Sequence, residues 1–138
     1  IIPFNTTESA IGCSSESFTI IPETPNCTTL ASPLDSAVNV AVDLNQITWN
    51  AATNATSYKV TISGTANNNI TDFETTDTFY NFTNPFVNDE VVTVTITPIN
   101  QTVEAIGCTL ESFTIIPEIP SCTTLASPLN EATNIAQI

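Results

Sequence analysis

Along residues 91–100 the side chains alternate without a break. Val92, Val94 and Ile96 fall on one side, Thr93, Thr95 and Thr97 on the other, and Pro98 and Asn100 close the run. A period of two is the spacing of a strand with one face toward a core and the other toward water. Tyr58, Val60 and Ile62 alternate in the same way with Lys59, Thr61 and Ser63, and Leu44, Ile47 and Trp49 gather just before Asn50-Ala51-Ala52. Phe113 and Ile115 carry a further strand over 109–117, and weaker patterns cover 27–30, 70–74 and 76–82. Turn-forming residues separate these runs at Ser63-Gly64, Asn67-Asn68-Asn69, Asn84-Pro85 and Asn88-Asp89. About seven short strands in about 95 residues, with no amphipathic helix between them, predict an all-β fold: a seven-stranded antiparallel sandwich of two sheets.

The pattern also returns as a whole. Ala10-Ile11-Gly12-Cys13 reappears as Ala105-Ile106-Gly107-Cys108, and residues 1–43 laid on 96–138 are identical at 28 of 43 positions, an offset of 95. Glu16-Ser17-Phe18-Thr19-Ile20-Ile21-Pro22 matches Glu111-Ser112-Phe113-Thr114-Ile115-Ile116-Pro117 without a change. A unit of 95 residues is too long for a solenoid repeat and suits a small domain with its own core. The expected organisation is a window on a tandem array. Residues 1–22 are read as the C-terminal strands of a preceding repeat, 23–118 as a complete module, and 119–138 as the N-terminal part of the following repeat. Residue 1 is neither Met nor part of a signal-peptide pattern, so it reads as a start inside a mature protein.

Composition narrows the function. One basic residue, Lys59, stands against 14 acidic ones, a net charge of -13, which excludes the clustered cations that nucleic-acid binding needs. No apolar run approaches the roughly 20 residues of a membrane span, so membrane insertion is not expected either. The chain has no His, which removes Ser-His-Asp and Cys-His catalysis, and its carboxylates are scattered through turns and strand ends; no enzyme activity is expected. No Cys-x-x-Cys spacing occurs, so neither a metal site nor a cofactor is expected, and Asn88-Asp89-Glu90 reads as a polar turn before a strand rather than a calcium site. Asn-x-Ser/Thr triplets begin at Asn5, Asn26, Asn54, Asn69, Asn81 and Asn100 and are candidate glycosylation sites, as is Ser36 within Asp35-Ser36-Ala37.

The order of these features resembles the fibronectin type III family of immunoglobulin-like sandwiches. Ile47-Thr48-Trp49 stands as its second strand with the core Trp, Ala55-Thr56-Ser57-Tyr58-Lys59-Val60 as its third, and 92–100 as its sixth. The chain departs from that pattern at Val92, where the family places a corner tyrosine, so the corner must be held by other groups. The combination of Pro25-Asn26-Cys27, Leu30, Pro33, Ile47-Thr48-Trp49 and Gly107-Cys108 also resembles the repeated modules of large secreted surface proteins of gliding, environmental bacteria.

In such a sandwich the start of the first strand and the loop before the last strand share a pole, which implies a Cys27–Cys108 disulfide. Cys13 and Cys27 are separated by a strand and a linker, which at about 3.3 Å per residue exceeds the roughly 7 Å that a disulfide allows between Cα atoms. Cys13 and Cys122 are therefore expected to find partners in neighbouring repeats. Disulfides belong to oxidising compartments, and the expected location is extracellular, at the cell surface. Pro22-Glu23-Thr24-Pro25 and Pro117-Glu118-Ile119-Pro120 fix two φ angles each and predict stiff linkers.

The reading is a non-catalytic structural repeat, a stalk or filament element of a secreted bacterial adhesin or extracellular filament. Its expected partners are neighbouring copies of the repeat, in one chain or in a polymer, and surface glycans. Two alternatives stay open. One is a pilus-like subunit that polymerises by strand exchange. The other is a carbohydrate-binding accessory module of a secreted enzyme, which needs an exposed aromatic platform where Trp49 is expected in the core.

Overall fold

A computed structural model describes residues 1–127, 131–134 and 136. The expected following repeat at 119–138 therefore lies partly outside the described residues, at Pro128, Leu129, Asn130, Ile135, Gln137 and Ile138. Among the described residues there is no helix. Nine strands follow one another: β1 (Leu30–Ser32), β2 (Ala37–Val40), β3 (Gln46–Trp49), β4 (Ser57–Ser63), β5 (Ile70–Thr75), β6 (Phe79–Asn81), β7 (Val91–Asn100), β8 (Val103–Glu104) and β9 (Glu111–Ile115). One sheet has the order β1-β3-β6, and the other β2-β9-β7-β4-β5 with β8 on the end of β7. All pairs are antiparallel except β2 with β9, which is parallel. The arrangement is that of a β-sandwich.

Alternation decides which side chains meet between the sheets. On β7 Val92, Val94 and Ile96 are buried, and opposite them on β4 so are Val60 and Ile62, in the register Val60↔Ile96 and Ile62↔Val94. Ile47 and Trp49 of β3 close the core from the other sheet, with Phe113 and Ile115 of β9 beside β7. Each such side chain contributes about 1.5–3 kcal/mol by leaving water. Phe73, Tyr80, Phe82, Phe86 and Phe113 form a continuous edge-to-face chain with centroid separations of 5.2, 5.4, 4.8 and 6.3 Å, the geometry that aromatic quadrupoles favour. Trp49 packs edge-on against Tyr58 at 5.7 Å, and the Tyr58 hydroxyl accepts the Ala52 N–H at 3.0 Å.

Glu90 and Gly64 hold the corner before β7. The Glu90 carboxylate accepts the Ala66 N–H at 2.6 Å and the Val87 N–H at 3.1 Å, and its carbonyl accepts the Ile115 N–H. Val92, where a corner tyrosine would stand, is fully buried. Gly64 sits at φ +82°, and a Cβ there would lie 2.2 Å from the Val91 carbonyl oxygen, so only glycine fits.

The expected seven antiparallel strands become nine, one of them parallel to its neighbour. The two additions are β2 and β8. After β1 the chain crosses between sheets through a turn at 34–37, where Ser36 adopts φ +61° and its N–H reaches the Ser112 carbonyl at 2.6 Å. β2 carries only two partly inward residues, Ala37 and Val40, around Asn39 at φ +58°, so it lacks the alternation that marks a strand locally. Its partner β9 lies more than 70 residues away. β8 is two residues folded back on the end of β7 by the turn at Gln101-Thr102. The first strand also starts later than the expected 27–30, because Thr28 and Thr29 are spent on the Asn50 loop: Thr28 Oγ1 donates to the Asn50 carbonyl, and the Asn50 N–H donates to Thr29.

Candidate functional site

Function-bearing candidates gather where the chain enters the sandwich. Cys27 and Cys108 are disulfide-bonded there, their Cα atoms 5.2 Å apart and the closed loop 81 residues long. Cys27 is exposed and Cys108 half-buried, so the bond ties two surface segments rather than filling the core. Just upstream, the Glu23 carbonyl accepts the Asn100 Nδ2–H at 2.8 Å, Pro25 is buried, and the Asn26 N–H donates to the Thr53 carbonyl at 3.2 Å. Residues 23–26 are thereby fastened to the sandwich. One step further in, the Leu30 N–H at the start of β1 donates to Glu111 Oε2 at 2.6 Å. Glu111 is buried on β9, and this charge-assisted bond joins the edge of one sheet to the other.

Nothing in the local sequence marks Glu111, Glu90 or Asn100 as a fastening group. For Glu111 and Asn100 the available signal is recurrence, since Glu16 and Asn5 occupy the equivalent places 95 residues earlier. The same recurrence extends to local geometry. Ile99 faces Glu104 and the Ala105 N–H reaches the Pro98 carbonyl at 2.9 Å; Phe4 faces Ser9 and the Ala10 N–H reaches the Pro3 carbonyl at 3.0 Å. Gly12 and Gly107 both have positive φ, 79° and 77°.

Segment 1–22, read in the sequence as the last strands of a preceding repeat, otherwise contains no strand. Cys13 and Cys122 are free and exposed.

The candidate glycan acceptors differ in what their side chains already do. Asn100 Nδ2 is engaged by Glu23, and Asn69 Nδ2 donates to the Thr65 carbonyl at 2.7 Å. Asn5 and Asn81 use Oδ1 as acceptors, for the Thr7 and Glu8 N–H groups and for Gln46 Nε2. Asn26 is exposed at the entry, and exposed Asn54 sits in a turn at φ +65°. Ser36 is exposed in the turn between sheets.

Among the described residues, chemistry-bearing groups do not converge elsewhere. Trp49 is buried, so it offers no aromatic platform. Asn88 Nδ2 donates to the Ile116 carbonyl at 2.9 Å while Glu90 is committed to the corner. Among the described residues no group of three or more His, Cys, Asp or Glu is placed to hold a metal ion, and no helix is long and apolar enough to cross a membrane. Lys59 pairs with Glu104 across the outer face of β4 and β8. That hydrogen bond, helped by the charges of Glu104, Asp72 and Glu74 and opposed by partial desolvation, raises its pKa above the ordinary lysine value.

No protein-family profile, curated protein or solved structure matches the chain. What the geometry defines is an all-β, two-sheet unit fastened at its entry by a disulfide, a linker clamp and a buried carboxylate.

Proposed function

We propose that the chain is a non-catalytic structural repeat of fibronectin type III-like build, a stalk or filament element of a secreted, cell-surface bacterial adhesin or extracellular filament. The observation that carries this reading is the return of the sequence at an offset of 95 residues, 28 identities in 43 positions. Repetition of one self-contained unit is how chains gain length rather than chemistry. The strand order, with β1, β3 and β6 in one sheet and the rest in the other, supports the fibronectin-like build. The fastened linker at 23–26 supports a rod, because a unit that grips the segment before it limits how far its neighbour can swing. The disulfide supports an oxidising, extracellular setting.

A second reading, a subunit that polymerises by strand exchange, draws on the apolar residues that segment 1–22 leaves exposed, Phe18 and Ile20 among them. Reducing, denaturing electrophoresis of the native material separates the two. A covalent chain many times the 14.7 kDa of this one is the expected result; a band near 14.7 kDa would replace the array with the subunit.

A further inference from the structure

The chain enters the sandwich at Glu23, whose carbonyl takes the Asn100 amide, and leaves it after Ile116, whose N–H reaches the Val40 carbonyl at 2.8 Å. Between these points the covalent path forks at Cys27. One branch is the 81-residue loop that contains β1 to β8; the other crosses the sulfur bridge to Cys108, 5.2 Å away between Cα atoms, and runs on into β9. Because the bridge holds Cys27 and Cys108 together, a pull along the chain cannot stretch the loop. The short branch adds only the residues from Glu23 to Cys27 and from Cys108 to Glu118. At no more than about 3.6 Å per residue, the unit then spans at most about 55 Å under load, while the loop withholds about 260–290 Å.

β9 suits the loaded position. It is already an extended strand, so a pull along it has little to straighten. It lies between β7 and β2 rather than at an edge. Ladder hydrogen bonds run across the strands, so tension along β9 meets them together in shear instead of one after another. Phe113 and Ile115 anchor it in the core. At its exit the Ile116 carbonyl accepts Asn88 Nδ2–H at 2.9 Å, beside the Val40 contact.

We propose that the Cys27–Cys108 bridge and β9 form a tension member, and that β1 to β8 form a collar outside the load path. The proposal rests on reading the chain as a stalk or filament element and gives that role a mechanism: such a unit transmits force without lengthening. Cys27 is exposed, so a small thiol reaches the bridge. Cutting it moves the load onto the loop and turns a stiff tether into an extensible one. With dithiothreitol, one thiolate attacks a bridge sulfur and expels the other as a cysteine thiolate. The second thiol then closes the reagent's ring and frees the first cysteine, so two electrons pass from the reagent to the bridge.

The test holds the full chain at constant force by handles at its two ends, with Cys13→Ser and Cys122→Ser preventing other bridges. Without reductant, no long step is expected at any force. With dithiothreitol, a single step is expected that lengthens the chain by about 260–290 Å, the 81 residues released. Forces are chosen above the one at which a chain also carrying Cys27→Ser and Cys108→Ser is fully extended, so that the wait before the step times the cutting of the bridge. A bridge loaded within the folded unit is expected to be cut sooner as force rises. The proposal is overturned if the long step appears without reductant, or if the wait in dithiothreitol is independent of force. The stalk reading stands or falls separately, on whether the native chain is many times 14.7 kDa.

Discussion

Phe18 and Phe113 lie in the same seven-residue run, Glu-Ser-Phe-Thr-Ile-Ile-Pro, yet Phe113 is 1% exposed and Phe18 88%. Ile115 and Ile20 differ in the same way, at 0% and 79%. Phe113 sits on β9 because β7 pairs along it and Phe86 meets its ring; segment 1–22 has no such neighbours. The alternation that predicts a strand is thus not sufficient, because an isolated strand cannot satisfy its backbone or bury its apolar face. A short turn is different. The Pro3–Ala10 hydrogen bond forms in the flank as its counterpart does in the central unit, because every group it needs lies within the turn itself.

Paired substitutions break or sharpen this comparison, beginning with the largest effect. Cys27→Ser is expected to lower stability by about 4 kcal/mol, from the loop closure that an 81-residue bridge removes from the unfolded chain. Cys13→Ser should leave the denaturant midpoint unmoved. Phe113→Ala should cost about 3–5 kcal/mol through lost burial and an unfilled cavity, whereas Phe18→Ala should change nothing measurable in thermal unfolding. Glu111→Ala strands the Leu30 N–H and should cost about 1–3 kcal/mol; Glu16→Ala in the monomer is its silent counterpart. A drop at Glu16 as large as that at Glu111 would mean that the flank is already docked.

The smallest effect concerns Lys59, which has no equivalent in either flank. A cation whose pKa is raised on folding stabilises below its unfolded value, and that contribution is lost as pH rises through the folded one. The thermal midpoint is therefore expected to show no Lys59-dependent change at neutral pH. A slight decline should appear only as pH passes the ordinary lysine value of 10.5, and Lys59→Met should remove it. Exposed pairs contribute little.

Much of the architecture could be read along the chain. The core faces of β4 and β7 followed from alternation, since a half-buried strand writes its environment into every second residue. β2 did not, because its definition lies in a parallel partner far along the chain and in an asparagine with positive φ. The Cys27–Cys108 bond came through resemblance to a known fold, not through spacing. Glu111 and Glu90 were unreadable for a related reason. A carboxylate that accepts a distant backbone N–H looks, in sequence, like any solvated charge. Asn100 reads in sequence as a candidate glycan acceptor, and its amide donates to the Glu23 carbonyl, a contact that the triplet does not announce. Recurrence at 95 residues was the signal that could have separated Glu111 and Asn100 from ordinary surface groups.

If the flank is an incomplete copy of the central unit, supplying the missing strands must complete it. Prefixing residues 24–95 to residue 1 places a second copy of β1–β6 and of the first half of β7 directly before segment 1–22, and hydrogen exchange at Phe18, Thr19 and Ile20 then reports the outcome. The account predicts protection of these amides comparable to that of Phe113, Thr114 and Ile115, together with a new disulfide between Cys13 and the added copy of Cys27. Amides at Phe18–Ile20 that still exchange at open-chain rates, with Cys13 still free, would contradict it.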